Sequence, residues 1–173
     1  LYMARLFGRA GELGAQEEHQ KQAFTIAKHA EHRAQLQVAA DYGYALCRRG
    51  GHREAEKIVQ AALDSVDSGD KAESILVELA NLHLVQGILR RNRGDMSAAQ
   101  CSIREGLAFF ERAEHPSGQA SALISLCVNL RELGFHSDAA HCAEKAAHVF
   151  REAGHKGHEI TAVLNLGWCH LEA

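Results

Sequence analysis

The sequence predicts an all-α protein of antiparallel helix pairs stacked in a row, about nine helices in total. Three observations carry this expectation. Hydrophobic residues make up 46% of the chain but aromatics only 6%, so much of the apolar content is alanine, a residue that favours close-packed helices over sheets. Three segments align on a glycine followed five residues later by an alanine: Gly50 and Ala55, Gly94 and Ala99, Gly134 and Ala139. Apolar residues recur with helical period on both sides of each of these glycines.

Taken in order, the elements follow from these stripes. A first pair is expected at 2–12 and 16–31, where Gly8, Gly11 and Gly14 crowd together and blur the register. The second pair, 34–49 and 52–67, carries Ala39, Tyr42, Gly43 and Leu46, then Ala55, Val59, Ala62 and Leu63. The third, 71–93 and 96–113, carries Leu82, Val85, Gly87 and Leu89, then Ala99, Ile103, Gly106 and Leu107. Here Gln86 and Arg90 stand where the next unit has Leu126 and Leu130, and the glycine spacing is 44 rather than 40. The extra four residues predict an over-long first helix with a local change of superhelical twist. The fourth pair, 117–133 and 136–153, carries Leu123, Leu126, Cys127 and Leu130, then Ala139, Ala143, Ala146, Ala147 and Phe150. A last helix at 157–171 starts a fresh copy with Val163, Leu166, Gly167 and His170. Each turn glycine supplies the left-handed conformation that ends the first helix of its pair. The sole proline, Pro116, falls in a connection, where it interrupts no helix.

Composition excludes several function classes. A formal charge of −3 and a pI near 6.5 argue against a general nucleic-acid binder, which needs a basic surface to displace counterions. No run approaches the ~18 apolar residues of a membrane span, and the N-terminus lacks the layout of a signal peptide. The chain starts at Leu1 rather than Met, which suggests one repeat domain, 1–173, cut from a larger protein; the repeats fall at about 1–33, 34–70, 71–116, 117–156 and a partial 157–173. Cys47, Cys101, Cys127, Cys142 and Cys169 are odd in number and well separated, which points to a reducing, cytoplasmic setting. Four of the five fall on packing faces. The twelve histidines do not cluster with ligand spacing: His155 and His158 flank Gly157, and His141 and His148 lie two turns apart. No metal site or cofactor is expected. Nor is an enzyme, for there is no phosphate loop, nucleophile elbow, metalloprotease motif or paired carboxylate in an apolar setting.

The order large-x-x-Leu-small-x-x-large, then Gly, then Ala-x-x-x-large-x-x-Ala, over about residues 35–171, resembles the tetratricopeptide repeat. The period near 40, against 34 for the usual repeat, marks a long-helix variant similar to the sensor and regulatory arrays of bacterial signalling and transcription-activator proteins and to kinesin light chains. The resemblance implies a right-handed α-solenoid whose first helices line a concave face, and a protein- or peptide-binding module serving as a regulatory or sensor segment. An architectural solenoid for self-association or domain spacing, or a small-molecule sensor, are the alternatives. On that implied face the candidate contact residues are Tyr44, Arg48, Asn81, Leu84, Ile88, Arg91, Ile124, Val128, Arg131, Asn165 and Trp168. The apolar members would hold a partner helix or extended peptide, while Arg48, Arg91 and Arg131 would form a basic ridge selecting an acidic segment. The lysine and asparagine clamp that some members use for chaperone tails is not expected, since Ala40, Tyr44, Val85, Ser121 and Ser125 occupy its places. The helix at 157–171, first of a pair, leaves Leu164, Leu166 and Trp168 without their usual cover, so self-association through this end or a poorly ordered last helix is expected.

Overall fold

The computed structural model describes residues 22–23, 31–66 and 73–172. Within them lie α1 (His32–Arg48), α2 (His52–Asp64), a 3-10 turn (Glu73–Ile75), α3 (Leu76–Asn92), α4 (Met96–Arg112), α5 (Pro116–Glu132), α6 (His136–Glu152) and α7 (Lys156–Leu171). The described residues thus hold seven α-helices rather than nine. The pair expected at 2–12 and 16–31 lies outside them, apart from Gln22 and Ala23, which are helical, and Glu31, which immediately precedes α1.

From α3 onward a helix starts every twenty residues, and α3, α4, α5 and α6 are each 17 residues long. The over-long helix expected at 71–93 is therefore a misplacement of the four extra residues. They fall ahead of α3, in a connection whose last part is the 3-10 turn. Four residues inside a helix would rotate every later side chain by about 40° and move the apolar stripe off its partner. In a connection they cost only a little loop entropy.

The turns are built alike. Gly50, Gly94, Gly134 and Gly154 have φ between 69° and 83°, and Glu114 takes the equivalent place with φ 48°. After each, a backbone N–H returns to the helix just ended: Gly51 to Leu46 O, Asp95 to Arg90 O, His115 to Phe110 O, Phe135 to Leu130 O and His155 to Phe150 O, at 2.8–3.0 Å. This six-residue closure satisfies a carbonyl that the helix end would otherwise leave open. Asp95 then caps α4 through Ala98 N–H, and His115 Nδ1 caps α5 through Gly118 N–H.

Neighbouring helices are antiparallel pairs. The first helices touch in sequence, α1 to α3 to α5 to α7, and each second helix packs against its own first helix and the next one. Small residues set how closely the pairs approach. A Cβ on Gly43 would lie 2.9 Å from Val59 Cγ2, and one on Gly87 2.6 Å from Ile103 Cγ1. Cys127, in the same register, is fully buried in one cluster with Ala143. Ala55, Ala99 and Ala139, the alanines that follow each turn, have no exposed surface. As expected, four cysteines are buried and only Cys101 is exposed; Cys127 and Cys169 bring α5 and α7 together with their sulfurs 3.7 Å apart.

Candidate functional site

Tyr44, Ile88, Val128 and Trp168 occupy one register position on α1, α3, α5 and α7. Each follows the last by forty residues, except across the 44-residue third unit. Because the first helices touch in sequence, the four form a strip running across the row. Its ends are open, Tyr44 at 49% and Trp168 at 53% exposed, while Ile88 and Val128 are half-buried. Ile88 also packs on the core between α1 and α3.

Two other apolar candidates are spent on packing. Leu84 is buried: its Cδ2 lies 3.2 Å from where a Cβ on Gly106 would sit, so it belongs to the α3–α4 contact and departs from the expected free face. Ile124 is half-buried against Ala146, Ala147 and Phe150. The stripe broadens toward the second helix by one more position than sequence spacing suggested.

The arginines form a ladder rather than an open ridge. Arg91 Nε lies 3.7 Å from Glu132, and Arg131 Nε lies 3.5 Å from Glu172. In both, an arginine near the end of one first helix meets a carboxylate just beyond the equivalent position of the next. Arg48 is exposed at the α1 end. Arg90 turns inward instead, donating to Ser102 Oγ at 2.7 Å and to Ala98 O at 3.3 Å, and Arg93 pairs with Glu56. Half-exposed pairs of this kind contribute about 0–1 kcal/mol each, but they neutralise much of the charge offered to a partner.

Polar side chains beside the strip are satisfied on their own helices. Ser121, Ser125 and Thr161 donate to the carbonyls of Ser117, Ser121 and Gly157, and Asn165 Nδ2 donates to Thr161 O. Asn81 is half-buried on α3. Sequence spacing missed the buried polar groups. Ser102, with no exposed surface, donates a hydrogen bond from its hydroxyl to Gln86 Oε1 at 2.9 Å while accepting one from Arg90. Glu78, 4% exposed, accepts from Arg33 Nε at 2.9 Å and ties α3 to α1. Asn129 Nδ2 reaches Met96 O. These groups sit between helices and fasten the fold.

Several histidine rings pack on aromatic ones: His115 on Phe110, His83 on Phe109, and His155 and His158 about Phe150, with centroids 5.1–6.4 Å apart. Among the described residues no group of three or more His, Cys, Asp or Glu is placed to hold a metal, and no helix is long and apolar enough to cross a membrane. Burial pushes the Cys47 thiol up to about 11, against the pull of Arg91, and pushes Cys127 up to about 12 with help from neighbouring Cys169. Cys142 is raised by burial as well. Such thiols stay protonated and are poor nucleophiles.

No protein-family model matches the chain, and no curated protein matches it in sequence. Among solved structures it is similar to BtubC (BKLC) from P. vanneervenii, with a TM-score of 0.70 and 18% identity over 98% of this chain and 69% of that one. The likeness establishes a TPR-like helical repeat fold.

Proposed function

We propose that the protein is a protein-binding repeat module and that the strip Tyr44–Ile88–Val128–Trp168 is its contact face. The observation that carries this is the strip itself: one register position stays apolar in every described pair and is never wholly buried. A position needed only for packing would be covered, and one facing solvent without a partner would be polar, as Arg53, Lys57 and Glu144 are on second helices. Large apolar side chains supported by rigid helices suit an amphipathic helix or an extended peptide. Because Arg91 and Arg131 already share carboxylates, apolar contact holds the partner and Arg48 contributes mainly to encounter with an acidic segment. On this reading the role is one of recognition.

The test is a photo-crosslinking residue at position 128, compared with the same residue at 144 on the outer helix α6, in the source cell. A discrete adduct from 128 that disappears in Tyr44→Asp/Ile88→Asp supports the reading. Equal labelling from 128 and 144 contradicts it.

A further inference from the structure

Cys127 on α5 and Cys169 on α7 meet in the core, both buried, with their sulfurs 3.7 Å apart. The repeat itself does not ask for thiols there. At the same register the two earlier neighbouring pairs of first helices carry Gly43 with Leu89 and Gly87 with Asn129. The other cysteines stand apart from this contact: Cys142 of α6 lies in the same core cluster, Cys47 lies in another, and Cys101 is exposed. A disulfide holds its sulfurs at about 2.05 Å, so closing this pair asks for about 1.7 Å of approach, the size of ordinary shifts between packed helices.

We propose that Cys127 and Cys169 are a redox-active dithiol, closed to a disulfide by exchange with a small disulfide of the glutathione class and reopened by thiols. Opening of α7 uncovers Cys169, whose thiolate attacks the small disulfide. An S–S bond forms to Cys169, and one small thiolate leaves and takes up the proton that Cys169 lost. Cys127 then gives up its proton and attacks the Cys169 sulfur, and the second small thiolate leaves with that proton. Two electrons pass from the protein pair to the small disulfide, which ends as two thiols. Because both sulfurs are buried, exchange waits on local opening and is slow, so the pair answers a sustained change of redox poise rather than a brief one. Closed, the bond ties α7 to α5 between residues 42 apart in sequence and restricts chiefly the unfolded chain. Cys127 adjoins Val128 and Cys169 adjoins Trp168, so closure also fixes the spacing of the last two members of the apolar strip. The dithiol itself does not depend on that strip being a contact face.

The experiment uses the whole chain carrying Cys101→Ser, which removes the exposed thiol. It is equilibrated without oxygen in graded mixtures of oxidised and reduced glutathione, quenched with acid, alkylated and mapped by peptide mass spectrometry. A single two-thiol transition is expected, with 127 linked to 169 and the link lost on adding dithiothreitol. The oxidised form should melt about 5–15 °C above the reduced one. Adding Cys169→Ser should abolish both the transition and the rise while keeping the helical circular dichroism; adding Cys142→Ser, from the same cluster, should leave the 127–169 link in place. Should the Cys169→Ser chain fail to fold, the linkage map and melting shift of the Cys101→Ser chain decide alone. Single cysteines capped by glutathione with no internal link overturn the proposal, as does a link through Cys47 or Cys142. A 127–169 link that forms only in denaturant, or a linked form that melts no higher than the reduced one, overturns it equally.

Discussion

Glu114 holds φ 48° where four other turns use glycine, a conformation that costs an L-residue about 1–2 kcal/mol. Its turn joins a second helix to the next first helix, and nothing in the local spelling Ala113-Glu114-His115-Pro116 distinguishes it from an ordinary loop. The turn glycines at 50, 94 and 134, by contrast, were legible because an alanine follows each at fixed distance. Glu114→Gly should raise stability by about 1 kcal/mol, less the entropy glycine adds to the unfolded chain; an unchanged or lowered melting temperature would contradict this. The buried thiols make a second prediction. Cys47 and Cys127 keep their protons in the folded state to about pH 11 and 12, whereas an unfolded thiol ionises near 9. The unfolded chain therefore binds fewer protons above pH 9, and stability should fall as pH rises through that window. Thermal unfolding across pH 8–11 should show the loss, and Cys47→Ala should reduce its steepness.

At the scale of elements, apolar periodicity placed the seven described helices but misjudged α3. Spacing between glycines counts residues without saying whether they lie in helix or connection; only packing against α4 fixes that, since a rotated stripe would lift Ile103 from Gly87. The break in the stripe at Gln86 and Arg90 was visible, yet its resolution was not, because Ser102 lies on another helix. Removing that hydroxyl leaves two buried-facing polar groups without it. Ser102→Ala should cost about 1–3 kcal/mol, measured by denaturant unfolding; a loss below a few tenths would show that the three groups do not act together. Ala139 has no exposed surface at the α5–α6 contact, so Ala139→Leu should lower stability by about 1–3 kcal/mol through overpacking. No change in melting temperature would mean the register of this pair is misassigned.

Across the whole molecule, one forty-residue register decides which faces are spent and which are offered. The strip from Tyr44 to Trp168 was legible because apolar residues recurred where the repeat does not need them. The neutralisation of Arg91 and Arg131 was not legible, because Glu132 and Glu172 read as unremarkable helix-end carboxylates until the first helices are laid side by side. Gly87 and Gly167 test the register most directly, being the same position two repeats apart with one socket filled and the other open. In Gly87→Ala the new methyl meets Ile103 at 2.6 Å, and overpacking of about 1–3 kcal/mol outweighs the helix propensity that alanine adds. In Gly167→Ala only the propensity remains, a gain of about 0.8–1 kcal/mol. Melting temperatures of the two variants beside the parent chain should therefore move in opposite directions, down for Gly87→Ala and up for Gly167→Ala; shifts of the same sign would contradict the account.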